Sequence, residues 1–170
     1  MADEHNPYEA PAAPVADPAL GVHGELADRM QRFLAAFVDG MIGLAFGVAI
    51  AWALGIYGYM FQRPPVQPPA GLVYASSAIG FVVYLALHGY FLKTYGQTIG
   101  KRVIGTRIVG LDGNILPFGR LILLRYLPVQ AIVLIPIVGS IVALVDVLFV
   151  FRDDRRCLHD LIAGTRVVKV

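Results

Sequence analysis

Apolar residues are gathered into long blocks along this chain, with polar stretches between them. The blocks cover about 33–60, 72–92 and 121–151, and the proline-rich stretch 63–69 separates the first two. A helix needs about 20 apolar residues to cross the hydrocarbon core of a bilayer, and a run of prolines cannot continue a helix. The pattern therefore predicts an all-α membrane protein whose first two blocks each form one span.

The third block can be interpreted in more than one way. As one straight helix, 121–151 would be about 46 Å long, too long for a core of about 30 Å. As two arms, 121–135 and 138–151, each would be about 22 Å, which is short. One crossing, two crossings and a re-entrant hairpin all stay open. We favour a bundle of about four spans whose last two form a short hairpin.

The distribution of basic residues supports the hairpin. A hairpin places the polar segment 93–120 and the tail 152–170 on the same side of the membrane. Both stretches are rich in Lys and Arg, whereas Arg63 would lie alone on the opposite side. Because basic loops stay in the cytoplasm, the pattern predicts a multi-pass protein with both termini cytoplasmic.

Composition agrees with a membrane location. The chain is 57% hydrophobic and only 15% charged, whereas soluble domains carry about a quarter charged residues. A formal net charge of +2 does not point to nucleic acid, so the expected partners are the bilayer and its anionic headgroups. Residues 1–28, rich in Pro and Ala, predict a disordered cytoplasmic tail that precedes a membrane domain at 29–170.

The polar segment between the second and third blocks predicts a small cytoplasmic β-hairpin. A β-branched run over 103–109 precedes Asp112-Gly113, a dipeptide typical of tight hairpin turns. Residues 115–118 would form the returning strand.

Three charged residues lie well inside the apolar blocks: Asp39, Arg125 and Asp146. Charges in hydrocarbon are tolerated when they are paired or functional. A turn near 137–138 would bring Arg125 and Asp146 together across the hairpin. Arg32 lies two helical turns before Asp39, too far for an easy contact, so we expect it to reach the headgroups or Asp160.

Several motifs together resemble the RDD family of small bacterial membrane proteins, over about 29–168. They are the opening Arg32…Asp39, the run Gly96-Gln97-Thr98-Ile99-Gly100-Lys101-Arg102, and the closing Leu158-His159-Asp160 with Gly164-Thr165. The family name refers to one arginine and two aspartates. Arg32 and Asp39 match the first two, and the second aspartate is either Asp146 or Asp160. The resemblance implies the bacterial inner membrane and transport of an unidentified ligand, with sodium/proton antiport in some members.

We therefore predict a transporter of small cations or protons, acting as a homo-oligomer, in which Asp39 and Asp146 handle the ion. Arg32, Arg125 and Asp160 would be structural or gating partners. The alternative is a membrane scaffold or assembly module whose charges are structural. An enzyme, a metal site and a cofactor are not expected, because no nucleophile motif and no set of metal ligands at a recognised spacing is present.

Overall fold

Two long helices dominate the computed structural model, which describes residues 24–135 and 137–170, so most of the tail predicted at 1–28 lies outside the described residues. Helix α1 covers Arg29–Ala53 and helix α3 covers Ala70–Tyr95, with a short helix α2 at Ile56–Met60 between them. Both long helices are long and apolar enough to cross a membrane. They correspond to the first two predicted spans.

Local sequence explains where the long helices begin and end. Asp28 caps α1: its carboxylate accepts from the Gln31 amide at 2.7 Å, and the Gln31 side chain accepts from the Asp28 amide at 3.0 Å. Gly55 adopts a left-handed conformation with φ 69°, which suits glycine. The predicted span 33–60 is therefore divided, because α1 ends before Gly55 and α2 restarts after it.

The rest of the chain consists of shorter elements. In order they are helix α4 (Ile99–Ile104), strand β1 (Thr106–Gly110), helix α5 (Phe118–Leu121), a π-helical turn (Ile122–Tyr126), helix α6 (Leu127–Val133), helix α7 (Val138–Leu148), a 3-10 turn (Phe149–Phe151), helix α8 (Leu158–Ala163) and strand β2 (Thr165–Lys169).

The predicted hairpin within 93–120 is wrong. Strand β1 pairs antiparallel with β2 from the C-terminal tail, in the register Thr106↔Lys169 to Gly110↔Thr165. The stretch after Asp112 forms a turn, in which the Asn114 amide donates to the Asp112 carboxylate at 3.1 Å, and then enters α5. Pro117 has no amide to donate to a strand ladder, whereas pairing with β2 buries apolar side chains from both strands.

The last apolar block turns back on itself, and α6 packs against α7. Gly139 permits this contact, because a Cβ there would lie 2.7 Å from the Ile132 carbonyl oxygen. The helical arms over 118–133 and 138–151 are about 24 Å and 21 Å long, each shorter than a bilayer core. The structure thus has two long apolar helices and a short helical hairpin, and four full crossings stay a prediction.

Packing is concentrated at one end of the bundle, which we call the sheet end because it carries β1 and β2. Its apolar core is formed by Ala27, Leu92, Ile108, Leu116, Leu121 and Val167. Large apolar side chains elsewhere are exposed, including Phe37 at 57%, Trp52 at 76% and Phe61 at 80%. An apolar surface of this extent is typical of a membrane protein.

Candidate functional site

The first turn of helix α4 is capped by the side chains of Asp39 on α1, His88 on α3 and Thr98, the residue before α4. We call these side chains, together with the backbone of Gly100, the capping cluster. The first free amide of the helix, that of Ile99, donates to His88 Nδ1 at 3.1 Å. The Gly100 amide donates to Asp39 Oδ1 at 2.7 Å, and the Lys101 amide donates to Thr98 Oγ1 at 3.3 Å. Each amide of the first turn therefore has an acceptor, as a buried helix end requires.

Asp39 lies inside α1, and its charge is held by donors from the chain itself. Its Oδ2 accepts from Thr98 Oγ1 at 2.5 Å, and its Oδ1 accepts from the Gly100 amide. Gly100 has to be glycine, because a Cβ there would lie 2.2 Å from the Ala35 carbonyl oxygen and 2.9 Å from the Asp39 carboxyl carbon. The motif glycine thus permits α4 to approach α1 closely.

Gly96 and Gln97, at the start of the same motif, connect α3 to strand β1. Gly96 ends α3 with φ 64°, and the buried Gln97 side chain donates to the Thr106 carbonyl at 2.8 Å. Burial and the nearby guanidinium of Arg125 lower the pKa of Lys101 to about 8. The Gly96–Lys101 motif therefore joins α1, α3 and β1.

A second group of charges, the salt-bridge cluster, surrounds Asp160 on α8. The Asp160 side chain is fully buried and forms ion pairs with Arg32 from α1 and Arg125 from the π-helical turn. The Cys157 amide and Thr165 Oγ1 each donate to the same carboxylate at 3.1 Å. Of the two expectations for Arg32, the structure shows the contact with Asp160.

Charge partners control the ionisation of Asp160. Burial by itself would raise the pKa of Asp160, but the guanidinium groups of Arg125 and Arg32 outweigh that effect and hold it far below its usual range. Arg125 also donates to Thr165 Oγ1 at 2.5 Å. The Asp160 carboxylate therefore ties α8 and β2 to α1 through charged hydrogen bonds.

Asp146, on α7, is bound to His159. Its Oδ1 accepts from the His159 amide at 2.8 Å, and its Oδ2 lies 2.7 Å from His159 Nδ1. Arg125 Nη2 lies 3.0 Å from His159 Nε2. A guanidinium can only donate, so Nε2 accepts and Nδ1 carries the proton that is donated to Asp146.

The predicted direct pair between Arg125 and Asp146 is wrong. Helix α8 places His159 between them, so the two charges are linked through its imidazole ring. Burial and the adjacent Arg125 lower the pKa of His159 and outweigh the opposing effect of Asp146. His159 is therefore a neutral bridge between Asp146 and Arg125, and its Nε2 also lies 3.9 Å from Asp160 Oδ2.

Asp146, Cys157 and His159 also form a group whose potential metal-ligating atoms lie within 4.8 Å of one another. Two guanidinium groups contact these atoms. Arg32 Nη2 is 3.1 Å from Cys157 Sγ, and Arg125 Nη2 is 3.0 Å from His159 Nε2 and donates to it. Burial raises the pKa of the Cys157 thiol, which disfavours the thiolate that a metal would need. This geometry favours hydrogen bonding over metal ligation.

A cleft of about 460 Å³ lies between the long helices and the helical hairpin, and its largely apolar lining includes Asp146 and His159. Inside it, Gln130 Nε2 donates to Ser77 Oγ at 2.7 Å. The Tyr84 and Tyr126 rings lie 5.4 Å apart on its wall. A second cavity of about 170 Å³ between α1 and α3 reaches His88 and shares Ser77 and Tyr84 with the cleft.

Sequence reasoning did not identify the cleft residues Ser77, Tyr84 and Gln130. A signal was present: Ser77, Tyr84 and His88 recur at helical spacing on one face of α3. Their polarity in an otherwise apolar span could have marked that face as the lining of a cleft.

Comparison with known proteins agrees with the motifs. The model of the RDD family matches residues 26–164. An uncharacterised protein of Haemophilus influenzae is 36% identical over 147 residues, which cover 84% of this chain and 78% of that protein. No solved structure matches the chain. The chain belongs to the RDD family of membrane proteins.

Proposed function

We propose that this membrane protein moves protons or small cations through the cleft, with Asp146 as the exchanging carboxylate. The observation that carries the proposal is the position of Asp146, which lines a cleft that is also lined by Ser77, Tyr84 and Gln130. Hydroxyl, amide and carboxylate oxygens are the ligands that hard cations prefer. An acidic group in such a cleft within a membrane is a default candidate for ion handling.

The other acidic residues suit structural roles better. Asp39 is bound to the first turn of α4, and Asp160 is enclosed by two arginines. Neither lines the cleft. We therefore assign ion exchange to Asp146 and assembly to Asp39 and Asp160.

The transporting unit would be a homo-oligomer in the bacterial inner membrane, with both termini cytoplasmic. The helical hairpin is shorter than a bilayer core, so one copy alone supplies few full-length helices around the cleft. The exposed Arg152 side chain, whose Nε lies 3.3 Å from Asp154 Oδ1, would also contact anionic headgroups on the cytoplasmic side.

Flux measurements in proteoliposomes test the proposal. Wild-type protein should exchange sodium or potassium for protons under an imposed pH gradient, and Asp146→Asn should abolish this exchange. Asparagine keeps an oxygen that can accept from the His159 amide while removing the charge. The matched control is Asp153→Asn, which removes an exposed acidic group outside the cleft. Wild-type flux in a correctly folded Asp146→Asn protein would refute the assignment.

A second candidate is the scaffold or assembly module, and one observation favours it. The charges at Arg32, Asp39 and Asp160 are all used to join elements of this chain. Membrane ion pairs can serve architecture alone. Wild-type proteoliposomes that show no flux of protons, sodium or potassium would favour this candidate.

A further inference from the structure

We propose that His88 is a proton-binding site whose protonation releases helix α4 from its cap. His88 lies near the end of α3 and is 1% exposed. It contributes the acceptor for the first amide of α4, so its ionisation state and the position of that helix are linked by one hydrogen bond. The site is separate from the cleft carboxylate Asp146 and goes beyond the transport proposal.

The hydrogen bond from Ile99 determines which ring nitrogen carries a proton. The Ile99 amide donates to His88 Nδ1, so Nδ1 has a free lone pair and the single ring proton is on Nε2. A second proton can bind only at Nδ1. The protonated ring has two donors and no acceptor, so it cannot keep the bond to the Ile99 amide.

Asp39 gives the protonated ring a new partner. Its Oδ1 lies 4.0 Å from His88 Nδ1 and now accepts from the Gly100 amide. An imidazolium N–H would compete with that amide for the same oxygen. Protonation would thus remove the acceptor of Ile99 and weaken the acceptor of Gly100, and both amides belong to the first turn of α4.

A cavity and several ionisable groups surround His88. The cavity of about 170 Å³ between α1 and α3 reaches His88. The groups that face His88 are Asp39 from α1, Lys101 from α4 and Tyr84 on its own helix, whose ring lies 4.5 Å away. Burial and the positive charge of Lys101 disfavour a positive ring, and Asp39 favours it. A proton on His88 would therefore be held by Asp39, at the expense of α4.

Amide hydrogen exchange of the full-length protein in nanodiscs tests this link. Protection of the amides at 99–101 would be measured from about pH 8 to about pH 5 and corrected for the intrinsic exchange rate, while imidazole NMR follows His88 itself. We expect protection to fall about fivefold as His88 becomes protonated, the effect of losing one helix cap. A titrating His88 with unchanged protection of these amides would overturn the proposal, as would a His88 that stays neutral throughout.

Two variants sharpen the test. His88→Asn places a neutral carbonyl oxygen near the position of Nδ1, so α4 should stay protected at every pH. His88→Leu removes the acceptor, so protection should be low and independent of pH. A pH-dependent loss that persists in His88→Asn would contradict the mechanism, and if that variant does not fold, the wild-type titration alone decides.

Discussion

Asp39 shows how a carboxylate can lie inside an apolar helix without being a free charge. It accepts from one hydroxyl and one amide, and both donors belong to the short segment after α3. Hydrogen bonds to an ionised acceptor are stronger than neutral ones. The residue therefore gives α4 a fixed position against α1, and the neighbouring glycine makes the contact possible.

Gly100→Ala should weaken this contact. The added Cβ would lie 2.2 Å from the Ala35 carbonyl oxygen, so we expect a loss of roughly 1–3 kcal/mol in stability from overpacking. Thermal unfolding in detergent measures it. The control is Gly119→Ala on α5, where a Cβ would meet nothing within 4 Å. Equal stability of the two variants would contradict the close approach.

The lowered pKa of His159 predicts how the stability of the protein depends on pH. Folding lowers the pKa of His159 below its usual value of 6.5, so the unfolded chain binds more protons there than the folded chain does. The stability that this group contributes is complete above pH 6.5 and decreases as the pH falls below it.

The melting temperature of the wild-type protein should therefore fall more steeply between about pH 7.5 and about pH 5.5 than that of His159→Gln. Asp160 does not distinguish the two proteins, because its pKa is held far below this window. Thermal unfolding followed by circular dichroism provides the measurement. The same slope in both proteins would show that His159 is not held neutral.

At the scale of elements, helices and strands that are far apart in the sequence contact one another. Strand β2 pairs with β1 on one side, and on the other side the Lys169 amide donates to the Glu25 carbonyl at 2.8 Å. Arg32 and Asp160 connect α1 to α8, 128 residues away. The C-terminal segment therefore completes the packing of the sheet end.

Cysteine pairs can distinguish the observed sheet from the local hairpin that the sequence suggested. Arg107→Cys combined with Val168→Cys places two thiols on directly opposed positions of β1 and β2, and should form a disulfide under mild oxidation. Arg107→Cys combined with Phe118→Cys, which a hairpin turning at Asp112-Gly113 would oppose, should not. Both pairs belong in a Cys157→Ser background, and a shift in gel mobility after reduction reports the bond.

At the scale of the whole molecule, polar and apolar surfaces are divided along the bundle. The capping and salt-bridge clusters lie near the packed sheet end, whereas the long helices expose large apolar side chains such as Phe46 and Trp52. Charges gathered at one end of an apolar bundle are typical of a protein anchored at one membrane interface. Residues 24–27 and β2 share that end.

Thiol labelling of cells can test the proposed topology. In a Cys157→Ser background, Arg63→Cys should react with a membrane-impermeant maleimide in spheroplasts, because the turn between α2 and α3 would face the periplasm. Lys169→Cys should react only after permeabilisation. Labelling of both positions in intact spheroplasts would contradict the proposal that strand β2, which contains Lys169, lies on the cytoplasmic side.

The sequence by itself determined the two long apolar helices, the family and the residues of the family motifs, because length, hydropathy and short motifs are local properties. It did not determine the partner of each charge. Arg125 was expected to bind Asp146 and instead binds Asp160, and β1 was expected to pair with the next segment and instead pairs with the C-terminal strand. Those choices depend on which distant surfaces pack together, and only the tertiary structure brings the donors and acceptors within reach.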